Sequence, residues 1–200
     1  MKKPYNTLFL VLVFYLVFLP GSYAQAQQKI KDPKTHFGFV PGTDKMLFNY
    51  ESLISYLQEL EKTSDQVKLE KIGTSPMGKP MYAAFISSAE NINNLGKLKE
   101  INKHLAINPD IPDQTKEEYI REGKVFFLFT LSMHSNEVAP SQALPLIVYD
   151  LLTTQDANKK AWLNNVVYMV VPNHNPDGMN MIVDHYNKYK DTKYDGASMP

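Results

Sequence analysis

Two apolar runs with a helical stretch between them constrain the fold of this 200-residue chain more than any other feature. Residues 125–131 (VFFLFTL) are almost continuously apolar, which is typical of a strand buried on both faces. From Glu137 the apolar residues follow a helical period, and residues 166–171 (VVYMVV) form a second buried run. Strand, helix and strand in this order form a βαβ unit, so we expect the two strands to be parallel.

Apolar periodicity and turn residues predict the elements around this unit. Pro140 suits the first turn of the helix that follows Glu137, whereas Pro145 lies inside it and should kink the helix or delay its regular part. The other predicted elements are a helix capped by Asn49 with apolar residues Leu53, Ile54, Leu57 and Leu60, a hairpin of strands 67–72 and 81–88 with a turn at 75–78, helices at 92–106 and 113–122, and a helical piece around Trp162.

The N-terminus has the pattern of a secretory signal peptide. Two lysines precede an unbroken apolar run from Leu8 to Leu19, and small residues offer a cleavage site after Ala24 or Ala26. The run is shorter than the roughly eighteen residues that a spanning helix requires, so we expect cleavage rather than a membrane anchor. The predicted organisation is a signal peptide at 1–24, a polar surface leader at 25–45 and one domain at 46–200, in a secreted or periplasmic protein.

The composition restricts the chemistry of any functional site. The chain has no cysteine, which excludes disulfides, thiolate metal sites and cysteine nucleophiles, so a metal site must use His, Asp and Glu. The formal net charge is +0, and loss of the two signal-peptide lysines makes the mature chain slightly acidic. This balance indicates neither a nucleic-acid partner nor an anionic membrane surface.

His134 and Glu137 stand three residues apart where the first strand passes into the helix. The spacing alone is weak, because a chain of this composition is expected to contain such a pair by chance in about one case in four. In the structural interpretation, His134 bonds a backbone group and Glu137 complements the positive end of the helix. In the functional interpretation, both lie at the sheet edge where ligands of open α/β sheets bind. Imidazole nitrogen and carboxylate oxygen together suit zinc.

Four further histidines are weighed against a role as ligands. His174 follows the second strand and should share the sheet edge with His134, but we predict that it orders the Asn-Pro-Asp-Gly turn through hydrogen bonds. Asp177 and Gly178 are likewise assigned to the turn. The remaining three have no partner at metal spacing or lie on a polar surface: His36, His104 and His185.

Three ordered blocks of the sequence resemble the zinc carboxypeptidase family, the relatives of carboxypeptidase A. They are residues 41–44 (PGTD), residues 72–81 (IGTSPMGKPM), which are similar to a hairpin of that family, and residues 172–178 (PNHNPDG), which are similar to its NPDG segment. The His134–Glu137 motif lies between the second and third blocks. The resemblance covers nearly all of the mature chain.

The resemblance implies an α/β fold with a mixed central β-sheet flanked by helices, truncated at its C-terminus. It implies that His134 and Glu137 are the first two Zn²⁺ ligands of an enzyme that removes C-terminal residues from peptides by metal-activated water, with a separate glutamate as general base. Asn136 stands where the family often has a substrate-binding arginine. The family's third ligand and general base come later in its chain, so none is expected before Pro200, and the chain is predicted to be an N-terminal part, inactive alone.

Two other functions remain open at this point. One is a zinc-dependent amidohydrolase or deacylase acting on N-acyl amino acids or cell-wall peptides, as some relatives of the family are. The other is a secreted, non-catalytic α/β binding module in which His134 and Glu137 are structural.

Residues 186–190 (YNKYK) mix aromatic and basic side chains, as single-strand nucleic-acid surfaces do. Because Asp184 and Asp191 flank them, we predict a solvated loop near a substrate cleft, with a peptide or protein as substrate.

Overall fold

The computed structural model of the protein describes residues 30–197. Within this range, helices flank an open, four-stranded mixed sheet, as expected. The helices are α1 Pro33–Phe37, α2 Tyr50–Thr63, α3 Ala89–Asn93, α4 Leu95–Ile107, α5 Asp113–Glu122, α6 Ala139–Thr153, α7 Ala157–Asn165 and α8 Pro176–Tyr189, and the strands are β1 Val67–Thr74, β2 Pro80–Ile86, β3 Val125–Thr130 and β4 Val166–Val171.

The strand order is β1-β2-β4-β3. The hairpin strands β1 and β2 are antiparallel, β2 and β4 are antiparallel, and β3 and β4 are parallel. The parallel pair joined by α6 confirms the βαβ unit that the two apolar runs predict. Both of its strands therefore end at the same edge of the sheet.

Helix α2 forms where its capping residue and apolar period predict it. The side chain of Asn49 accepts a hydrogen bond from the backbone N–H of Ser52 at 3.0 Å, which satisfies one of the free donors of the first turn. Leu53, Leu57 and Leu60 are fully buried in the main core. Burial of each such side chain is worth about 1.5–3 kcal/mol relative to exposure, so this face holds the helix on the sheet.

Strand β3 contradicts the expectation that its apolar run is buried on both faces. Val125 is 61% exposed and Leu128 54% exposed, although β4 beside it contributes fully buried Val167. The reason is position: β4 lies between β2 and β3, whereas β3 is the last strand of the described sheet. The apolar run therefore predicts the strand correctly, but its expected burial on both faces is wrong.

Four other expectations need correction. The predicted helix 92–106 is two helices, because α3 ends at Asn93 and Asn94 turns the chain into α4. Residues 186–189 continue α8 instead of forming a loop. Helix α6 is continuous on both sides of Pro145, so this proline does not delay the regular part of the helix. The leader is not confined to the surface, since it forms α1 and packs Phe37 against the main core.

The predicted signal peptide at residues 1–24 lies outside the described residues, and the domain boundary at residue 46 stays a prediction. Among residues 30–197, no helix is both long enough and apolar enough to cross a membrane.

Candidate metal centre

The loops that follow β3 and β4 meet at one edge of the sheet. The N–H of Leu131 donates to the carbonyl of Val171 at 3.1 Å, and the N–H of His174 donates to the carbonyl of Leu131 at 2.7 Å. These bonds extend the parallel pairing past the ends of both strands. Residues 131–138, here named the donor loop, therefore start from a fixed point beside β4.

The donor loop turns sharply before it reaches the helix. Ser132 has a φ of 54°, in the left-handed region that non-glycine residues seldom occupy. A tight turn follows, in which the N–H of Glu137 donates to the carbonyl of His134 at 3.1 Å. Helix α6 then begins with Pro140 in its first turn, two residues later than the apolar period predicts.

The turn brings the side chains of His134 and Glu137 together. Nδ1 of His134 lies 3.0 Å from Oε1 of Glu137, and the backbone N–H of His134 donates to Oε2 at 3.1 Å. Both side chains are open to solvent, at 69% and 51% exposure. The hydrogen bond from the His134 side chain, and then the one from its backbone N–H, lowers the pKa of the Glu137 carboxyl.

This geometry fits two ligands of one zinc ion. Two donors at tetrahedral positions about 2.0–2.2 Å from zinc are roughly 3.3 Å apart, close to the observed separation of the two side-chain atoms. Zinc requires an ionised carboxylate and an unprotonated imidazole nitrogen, so the ion would replace the proton that Nδ1 shares with Glu137. The pair therefore suits zinc in donor type, spacing and accessibility.

The other histidines do not join this pair. Within residues 30–197 no group of three or more His, Cys, Asp or Glu side chains is placed to bind a metal ion together. His174 is exposed, and the turn after β4 is ordered by asparagines: the side chain of Asn173 accepts from the N–H of Asn175, and that of Asn175 accepts from the N–H of Gly178. The hydrogen bond of His174 comes from its backbone N–H and joins the turn to Leu131, whereas the side-chain bonds within the turn come from the two asparagines.

Helix α8 packs directly on the donor loop. A β-carbon added at Gly178 would lie 2.4 Å from Oγ of Ser135 and 2.8 Å from its Cβ. A cavity of about 490 Å³ opens beside this contact, lined by Ser135 and Asn136 of the donor loop and by residues of α8 and beyond that include Tyr186, Tyr189 and Tyr194. Tyr186, Tyr189 and Lys190 of the aromatic and basic run therefore line the same cavity as the donor loop.

A buried polar network lies beneath the donor loop, and sequence patterns did not single out its members. It consists of Ser132, Ser141 and Asn173, which are 6%, 0% and 1% exposed. Small polar residues lack an apolar period, so no pattern in the sequence indicates that these three meet.

A family model described as zinc carboxypeptidase matches residues 53–196. The chain belongs to the zinc carboxypeptidase family. The matched range includes His134, Glu137 and the hairpin of β1 and β2. The description of the family names zinc.

In this zinc carboxypeptidase-family chain, two of the sequence blocks that resemble the family are in contact. Oγ of Ser75, in the hairpin turn, donates to Oδ1 of Asp177 at 2.8 Å, and the N–H of Met77 donates to Oδ2 at 3.1 Å. Asp177 is buried in the first turn of α8, where a carboxylate also complements the helix dipole. The hairpin turn is therefore fixed to the helix that packs on the donor loop.

Three solved structures match part of this chain. A Shewanella denitrificans protein provisionally described as a carboxypeptidase A is 19% identical, with a TM-score of 0.44 over 64% of this chain and 26% of that one. Carboxypeptidase A of Helicoverpa armigera is 15% identical, with a TM-score of 0.45 over 72% and 30%. Bovine thrombin-activatable fibrinolysis inhibitor is 14% identical, with a TM-score of 0.42 over 74% and 36%.

The zinc carboxypeptidase-family chain thus spans between 26% and 36% of the length of these three structures. A search of curated proteins gives no match.

Proposed function

We propose that this chain provides the first two zinc ligands, His134 and Glu137, of a metallocarboxypeptidase that removes C-terminal residues from peptides. The observation that carries the proposal is the convergence of the imidazole Nδ1 and the carboxylate at 3.0 Å on the carboxyl edge of the sheet. The family match supports zinc over other metals. A third ligand and the general base are not assigned to any described residue.

The residues of the chain itself have three tasks in this proposal. In the metal-free protein Glu137 stays ionised and presents its carboxylate, since two hydrogen bonds from His134 hold its pKa down. Nδ1 of His134 would bind zinc in place of the proton that it shares with Glu137, so that both side chains would then face the ion. The cavity beside Ser135 and Asn136 gives a substrate side chain a site next to the donors. Bound zinc would supply Lewis acidity toward the scissile carbonyl and an activated water.

The zinc content and peptide trimming of the protein expressed from its complete gene test this function. We expect about one zinc per chain and release of C-terminal residues, both lost in His134→Ala because a ligand is removed. A folded protein without zinc would contradict the proposal. Zinc with cleavage only of N-acyl amino acids or cell-wall peptides would favour an amidohydrolase, and unchanged metal content in His134→Ala would favour a binding module.

Export to the periplasm or the exterior is part of the proposal, and the lysine-led apolar run at residues 1–19 supports it. We expect a mature N-terminus at residue 25 or 27, which intact-mass measurement of the exported protein determines. A protein that retains residue 1 would contradict cleavage.

A further inference from the structure

Three buried polar side chains connect the two ends of the segment that carries the donors. Oγ of Ser132 and Oγ of Ser141 are 2.7 Å apart, and the N–H of Ser141 donates to Oγ of Ser132 at 3.3 Å. Oγ of Ser141 also contacts the carbonyl of Pro172 at 2.7 Å, and the side-chain amide of Asn173 donates to it at 3.0 Å. His134 and Glu137 lie between the two serines in the chain.

The chemistry of the partners fixes the direction of every bond in this network. The carbonyl of Pro172 only accepts, so the hydroxyl proton of Ser141 must go to it. The bond between the serines must then use the proton of Ser132. Ser141 Oγ therefore donates once and accepts twice, which is its full capacity.

The network acts on the donor loop through Ser132. This residue leaves β3 in the left-handed conformation, two residues before His134, and its hydroxyl bond to Ser141 holds it there. Ser141 belongs to α6 and Asn173 follows β4, so the network joins the three elements that meet beneath the donors. Buried hydrogen bonds of this kind are strong, because no water competes for them.

We propose that Ser132, Ser141 and Asn173 are positioning residues that set the separation of the His134 and Glu137 donor atoms. The inference rests on the proposed zinc function and adds to it the residues that prepare the chain for the metal. Partners that orient metal ligands raise affinity because the donors then need no reordering when the ion binds.

The chain provides a matched control at the opposite end of the sheet. Ser87 is fully buried, and its Oγ contacts the carbonyls of Leu163 at 2.8 Å and Val166 at 2.7 Å and accepts from the amide of Asn91 at 3.0 Å. It resembles Ser141 in burial and in partners. Val166 begins β4, so Ser87 lies far from the donors along the strand. A merely structural effect of losing a buried hydroxyl should therefore be the same at both serines.

Zinc dissociation constants and Tm values of the protein from its complete gene test the proposal, with zinc measured by competition against a chromogenic chelator. Ser141→Ala and Ser132→Gly should weaken zinc binding about tenfold or more, whereas Ser87→Ala should stay within about twofold of the wild type. Ser141→Ala and Ser87→Ala should lower Tm by similar amounts, since each leaves buried polar groups without partners.

Ser132→Gly keeps the test decisive if Ser141→Ala does not fold. Glycine adopts the left-handed backbone without strain, so this variant removes the side chain of Ser132, with its hydroxyl, and leaves the turn conformation accessible. Wild-type zinc affinity in Ser132→Gly, or an equal loss in Ser87→Ala, would overturn the positioning role. A wild-type protein that binds no zinc would instead overturn the proposed function, and with it this inference, before any variant is compared.

Discussion

At the scale of single residues, the ionisation of Glu137 reports on its contact with His134. The side chain and the backbone N–H of His134 both stabilise the carboxylate and lower its pKa. We expect His134→Ala to raise the pKa of Glu137 part of the way to its ordinary value, because the backbone bond remains. Carboxyl ¹³C NMR titration of the metal-free protein measures this shift.

The sign of the pH effect follows from the lowered pKa. Stabilisation by the ionised Glu137 is present above the pKa of the unfolded chain and is lost as the pH falls through the lower folded pKa. Glu122 is the internal control, since its pKa is lowered independently by Lys97. A Glu137 titration that His134→Ala leaves unchanged, or an equal change at Glu122, would contradict the pairing.

Individual residues differed in how far the sequence could predict them. His134 and Glu137 were identified because their residue types suit a metal and because they follow a strand that an apolar run reveals. Whether they bind zinc stays a prediction. Ser132 and Ser141 were missed, since a buried hydroxyl network depends on which backbone carbonyls the fold brings near, and no local pattern contains that information.

At the scale of elements, the contact of α8 with the donor loop depends on the absence of a side chain at Gly178. A methyl group there would lie 2.8 Å or less from Oγ and Cβ of Ser135 and from Nδ2 of Asn175. We expect Gly178→Ala to destabilise the protein by about 1–3 kcal/mol, as overpacking does, and to weaken zinc binding because the donor loop must move. Urea denaturation and zinc competition measure the two effects.

Gly96→Ala is the matched control for this substitution. Gly96 also lies near the start of a helix, α4, but it is exposed and its added methyl would meet nothing within 4 Å. Alanine is preferred to glycine in helices by up to about 1 kcal/mol, so this variant should be neutral or stabilising. Equal free energies of unfolding of the two variants would show that α8 and the donor loop can move apart without loss of stability.

The existence of elements was more predictable than their boundaries. Strand β4 and helix α5 begin and end where their patterns predict, since Pro172 follows the strand and Pro112 and Gly123 flank the helix. The break at Asn94 was missed because Ile92 and Leu95 keep the apolar period on both sides of it. Helix α1 was missed because a helix of five residues has too few turns to show a period.

At the scale of the whole molecule, the burial of a strand depends on its neighbours and not on its composition. Strands β3 and β4 have similar apolar sequences, yet β4 lies inside the sheet and β3 at the edge of the described part. Val125, Leu128 and Phe129 are consequently exposed, at 61%, 54% and 39%. Strand order is a long-range property, which explains why the sequence predicted the parallel pair but not this surface.

The exposed edge of β3 should make the chain self-associate after removal of the predicted signal peptide. Val125–Thr130 contains no charged residue or proline to discourage pairing with another strand, and its outer backbone groups have no strand partner within residues 30–197. We expect concentration-dependent association in sedimentation velocity. Leu128→Lys should suppress it at little cost in stability, because a lysine on an edge strand opposes pairing and Leu128 is 54% exposed.

Ile120→Lys distinguishes strand pairing from general surface hydrophobicity. Ile120 is 59% exposed on α5, so this variant adds the same charge and removes a comparable apolar side chain away from the strand. Association should persist in Ile120→Lys, since the unpaired backbone groups of β3 remain available. Equal suppression of association by both variants would show that exposed apolar area alone causes it. A wild-type chain that stays monomeric at every concentration would show that β3 does not pair between copies.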